Sequence, residues 1–103
     1  MKQQDVLNAL KNQCKTIHIN YRIDNILDSA LFESNAMKDF IIYIRIGSVQ
    51  HRLFEKDHRF YRSQYRLYSI TWISKDTGNT IDHIERTVLP SFVKLLKAHH
   101  LIT

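Results

Sequence analysis

Between Phe40 and Ile46 apolar side chains return at every second residue: Phe40, Ile42, Ile44 and Ile46, with Ile41, Tyr43 and Arg45 between them. A helix would scatter such a set around its circumference, whereas a strand places it on one face. The intervening positions are themselves only partly polar, so both faces seek cover. Asp39–Gly47 is therefore expected to be a central strand, or one on which something docks, and the rest of the chain must build a sheet around it.

Other segments supply neighbours. Thr16–Ile23 sets Ile17, Ile19, Tyr21 and Ile23 against His18, Asn20 and Arg22, the alternation of a half-buried strand. Arg62–Ile73 reads as one long strand, with Tyr65, Leu67, Ser69, Thr71 and Ile73 on one face and Arg66, Tyr68, Ile70 and Trp72 on the other. Gly47–Ser48 marks a turn or bulge, and a further strand is expected at Val49–Phe54, leading to a polar tip around Glu55–Arg59.

The two ends change period. Val6, Leu7, Leu10 and Cys14 line one side of a predicted helix over residues 2–14. Near the other end, Lys75–Asn79 forms a turn in which Gly78 can take positive φ. Thr80 then resembles an N-cap, and Ile81, Ile84, Val88, Phe92, Leu95 and Leu96 form a helical stripe. Pro90 interrupts that stripe, so it predicts a kink, or two helices with Pro90 opening the second. Asp24–Met37 is ambiguous; Ile26, Leu27, Ala30 and Leu31 fit one side of a short helix capped by Asp24. The expectation is a single α+β domain over 1–103: an antiparallel sheet of three to four strands, an N-terminal helix and a Pro-kinked C-terminal helix.

Composition limits the function classes. A chain of 103 residues buries roughly two-thirds of its unfolded surface, enough for one core without staples. With only Gly47 and Gly78 available, neither a P-loop nor a dinucleotide-binding turn can be written, so no nucleotide cofactor is expected. Cys14 is the only cysteine, which excludes an intrachain disulfide and suits a reducing cytoplasm. No segment has the apolar length of a signal peptide core or of a membrane span. The six histidines lack the paired short spacings of a zinc site, and no metal is expected.

Charge points toward a partner. Residues 1–51 hold six Lys/Arg and five Asp/Glu; residues 52–103 hold nine and five, so most of the formal +5 lies in the second half. Its densest stretch is His51–Tyr68, HRLFEKDHRFYRSQYRLY, where Arg52, Lys56, Arg59, Arg62 and Arg66 alternate with Phe54, Phe60, Tyr61, Tyr65 and Tyr68. Guanidinium groups take phosphates while rings stack on bases, which suits a single-stranded nucleic acid. If the strands at 39–47 and 62–73 are neighbours, Tyr43 and Arg45 could share a platform with Arg66, Tyr68 and Trp72. The competing arrangement buries Tyr68, Ile70 and Trp72 beneath a helix, and Trp72 reads as core because Ile70 beside it has no stacking use.

The expected contact residues are thus Arg45, Arg52, Lys56, Arg59, Arg62 and Arg66 for phosphates, with Tyr43, Tyr61, Tyr65 and Tyr68 for bases. The corresponding function is a basic accessory protein that binds single-stranded DNA or RNA and assists a larger replication or processing enzyme. Tyr, Trp and Arg also dominate protein interfaces, so an interaction module or inhibitor seated on an acidic enzyme surface uses the same residues. A third possibility is a small ribonuclease built on His51, His58 and Glu55 with Arg52 and Arg62 holding the phosphate.

Overall fold

The computed structural model describes residues 1–22, 27–34 and 38–103, with Glu85 described by its backbone alone. The class is α+β. Helix α1 (Gln3–Gln13) leads into β1 (Cys14–Tyr21), β2 (Leu27–Ser34), β3 (Phe40–Ile46), β4 (Gln50–Lys56), β5 (Arg59–Tyr65), β6 (Tyr68–Ser74) and β7 (Thr80–Thr87), and helix α2 (Leu89–Ala98) follows. Five strands form one antiparallel sheet in the order β1-β2-β3-β6-β7, and β4 and β5 form a separate ribbon. The strand count exceeds three to four because two segments read as helical are strands.

The alternation in β3 decides the layering. Ile42, Ile44 and Ile46 pair with Trp72, Ile70 and Tyr68, and all six are buried. Above them lie Val6, Leu7 and Leu10 of α1 and Phe92 and Leu96 of α2, with Leu101 and Ile102 closing the end of the core. Both helices occupy this one face, and β3 is the central strand, as its two-sided apolar pattern requires. Tyr43 and Arg45 pair with Thr71 and Ser69 on the opposite face, which no described helix covers.

The termini of α1 and α2 follow from local chemistry. The Asp5 carboxylate accepts the Lys2 backbone N–H at 2.9 Å, satisfying a donor at the start of α1. Pro90 sits in the first turn of α2, where its missing N–H costs nothing. At the other end His100 adopts φ 58°, and the Leu101 and His100 N–H groups donate to Leu96 O and Lys97 O. That is a Schellman motif, with Leu101 turned into the core. Cys14 is buried beside it; burial pushes its thiol above the usual range, and Sγ lies 3.8 Å from Leu101 O.

Three expectations need correction. The Thr80-capped helix is the edge strand β7, and its apparent helical stripe is broken by two irregularities in pairing with β6. Trp72 pairs with Asp82 and Ile73 with Thr80, so Ile81 is the extra residue of a bulge and lies exposed. The long strand 62–73 is two strands separated at Arg66–Leu67. The described part of Asp24–Met37 is strand β2, with Ala30 and Phe32 buried; Asp24 and Ile26 lie outside the described residues. Gly78 takes φ 71° as its turn demands, and Pro90 opens a helix rather than kinking one.

Candidate nucleic-acid interface

The β4–β5 ribbon leaves the sheet between β3 and β6 and stands away from the body. Every residue of β4 is exposed, and on β5 Ser63 alone is half-buried. The molecule measures 55 × 30 × 25 Å with a radius of gyration of 15.4 Å, above the roughly 13 Å of a compact chain this long. The ribbon is an arm of seven residue pairs, about 24 Å long at strand rise.

Pairing is symmetric about a two-residue loop, Asp57-His58. Both residues have positive φ, 54° and 61°, as a type I′ hairpin turn requires. Neither is glycine or asparagine, so the tip carries some backbone strain. At the root, Gly47 N–H donates to Leu67 O at 2.8 Å and the Arg66 Nη1 donates to Gly47 O at 3.1 Å. A Cβ on Gly47 would meet Leu67 O at 3.2 Å, so any larger residue here would push the two segments apart by a few tenths of an ångström.

The register sorts the arm into two faces, since cross-strand partners project to the same side. One face carries Gln50, Arg52, Phe54 and Lys56 beside Tyr65, Ser63, Tyr61 and Arg59. Phe54 and Tyr61 stack with centroids 5.5 Å apart and planes at 21°, yet both stay exposed. Three cations and three rings share this side, with no carboxylate among them. The other face carries His51, Leu53 and Glu55 beside Gln64, Arg62 and Phe60. Leu53 and Phe60 are 72% and 78% exposed, more than any other large apolar side chain described. Among the described residues the ion pairs are Arg22–Asp28 and Lys75–Glu33, both in the body, so the arm's cations hold no carboxylate.

Of the expected contact residues, Arg52, Lys56, Arg59, Tyr61 and Tyr65 therefore lie together on one outward surface. Arg62 lies on the opposite face, where its Nε donates to His51 Nδ1 at 3.2 Å. Arg66 is half-buried at the root. Tyr43 and Arg45 belong to the helix-free face of the main sheet. Tyr68 must be removed from the set: it is 5% exposed, stacks on Phe92 at 5.2 Å, and its phenol donates to Gln3 Oε1 at 3.4 Å. Burial also raises its phenol above the ordinary range. Trp72 is likewise core, with the His99 ring 4.7 Å away. The joint platform of Tyr43, Arg45, Tyr68 and Trp72 does not exist, because Tyr68 and Trp72 lie on the buried side of the sheet.

Phe54 completes the cationic face, although the expected base contacts are tyrosines alone. Its signal was available: once Asp57-His58 is taken as the turn, Phe54 must oppose Tyr61. The nuclease constellation is dispersed. His51 lies near the root and His58 in the tip, six residue steps or about 20 Å apart, and Arg52 and Arg62 lie on opposite faces.

At the foot of the cationic face an open groove of about 420 Å³ separates the arm from the start of α2. It is lined by Tyr65 and Arg66 at the root of the arm, by Val88 and Pro90 at the start of α2, and by Tyr68. No described helix is long and apolar enough to cross a membrane. Comparison with family models, curated proteins and solved structures finds no match to this chain.

Proposed function

We propose that this protein binds nucleic acid through the arm, preferring single strands, and serves as an accessory to a larger replication or processing enzyme. One observation carries the reading: a free-standing ribbon holds Arg52, Lys56 and Arg59 unpaired beside the exposed Phe54–Tyr61 stack, on a face without carboxylates. A two-stranded ribbon without a covered face is marginal in water. Rings and guanidinium groups held there are positioned for a ligand rather than for the fold. Phosphates meet the cations and bases meet the rings, so sequence preference is weak and salt dependence strong.

The test is titration of a fluorescent single strand and of a duplex at two salt concentrations, with the oligonucleotides inspected for cleavage. Single strands bind more tightly than duplex, affinity falls with salt, and the strands stay intact. Arg52→Ala/Arg59→Ala removes two phosphate contacts and reduces the log–log salt slope by about 1.4. A double variant that binds as the wild type does would remove the arm as the contact surface.

Leu53 and Phe60 favour a second reading, docking on a protein. Their exposure on the face away from the cations gives a partner an apolar anchor flanked by Arg62. Under that reading Leu53→Ser/Phe60→Ser abolishes capture of one defined acidic partner and leaves oligonucleotide binding untouched.

A further inference from the structure

We infer that the groove at the arm's root accepts one unpaired nucleobase, turned out of a strand whose phosphates run along the cationic face; this deepens the reading above and rests on it. The walls suit a flat, partly polar ring. Tyr65 is 37% exposed and belongs to the same face as Arg52, Tyr61 and Phe54. Val88 and Pro90 line the same groove from the start of α2 and offer an aliphatic edge against which a base can pack. A base seated there has an aromatic plane and apolar carbon to pack on, the combination that single-strand readers use.

The polar groups lie where a base needs them. Gln64 borders the groove beside Tyr65, and the Arg66 guanidinium keeps donors beyond the one given to Gly47 O. None of the described lining residues is acidic, so a phosphate arriving with the base meets no opposing charge. The volume, about 420 Å³, falls within the usual span for small-ligand sites, ~300–1,000 Å³. Position is as informative as shape. Tyr61 and Tyr65 are four residues apart, about 13 Å on one side of a strand, so a strand laid on the Phe54–Tyr61 stack reaches the groove within a few nucleotides. Duplex DNA cannot use the groove without extruding a base, which supplies a structural reason for single-strand preference.

The test compares a fluorescent single strand with an abasic strand of the same length and charge, against the full chain and three variants. Tyr65→Val keeps strand propensity and loses the ring; Tyr65→Phe keeps the ring; Arg52→Ala/Arg59→Ala weakens the phosphate track. The wild type prefers the base-bearing strand by about fivefold or more. Tyr65→Val loses the part of that preference due to the groove without losing affinity for the abasic strand, and Tyr65→Phe retains it in full. An undiminished preference in Tyr65→Val, with both strands weakened in the arginine variant, overturns the base-binding groove and leaves the arm reading standing. Tighter binding to duplex than to either strand also overturns it. Absence of binding to any oligonucleotide at low salt removes both, and the groove is then free for a side chain of a protein partner.

Discussion

The body and the arm are built from the same kind of strand and are held by different forces. β3 and β6 pair along seven residues, and so do β4 and β5. In the first pair each core-facing side chain lies beneath a helix, so the ladder is backed by apolar burial. In the second, hydrogen bonds, the Phe54–Tyr61 stack and the turn are all that closes the ribbon. Backbone pairing alone thus gives geometry, while burial decides stability. It follows that the arm's side chains are free to be chosen for something other than folding.

Paired truncations of one residue type break or sharpen that contrast most directly. Phe92→Ala, deep in the core, should cost about 3–5 kcal/mol in urea unfolding, the usual price of an emptied aromatic site. Phe60→Ala on the arm should stay within about 0.5 kcal/mol. If the two losses were alike, the arm would be packed against something. A smaller effect is expected at the tip. Asp57→Asn/His58→Gly supplies the residues that a type I′ turn favours and should stabilise the arm by about 1–2 kcal/mol. That gain should appear as slower amide exchange in β4 and β5, with little change in the Tm of the body. The smallest effect lies on the helix-free face, where Lys75 Nζ meets Glu33 Oε1 at 2.6 Å and its hydrogen bond holds the Glu33 carboxyl below its usual range. Because the folded carboxyl is the stronger acid, the bridge stabilises above the unfolded value and is lost as pH falls through the folded one. Acid titration of stability in Glu33→Gln should therefore be slightly flatter than in the wild type.

Legibility in the sequence divides along the same line. β3 and α1 were readable because one side of each is uniformly buried, and burial imposes a period. Gly78 was readable too, since its turn acts through local geometry that needs no neighbour, whereas Pro90 left a kink and a helix start open and only the helix start occurs. β7 was not, since it is an edge strand with Ile81 in a bulge, and the bulge shifts the faces just where alternation would have spoken. The break at Arg66–Leu67 was hidden because Tyr65 and Tyr68, an odd number of residues apart, both border the groove. On the candidate site, the residue types could be read but not their facing. Tyr68 resembles Tyr65 in composition and lies under Phe92, whereas Tyr65 faces the open groove. Only the register about Asp57-His58 separates Arg52 and Arg59 from Arg62.

Gly47 and Leu67 hold the foot of a lever. With about 24 Å between root and tip, a swing of roughly ten degrees there carries His58 through about 4 Å, more than the rise of a stacked nucleotide, ~3.4 Å. The distance from the tip to the groove at the foot is therefore set by two backbone positions that belong to neither.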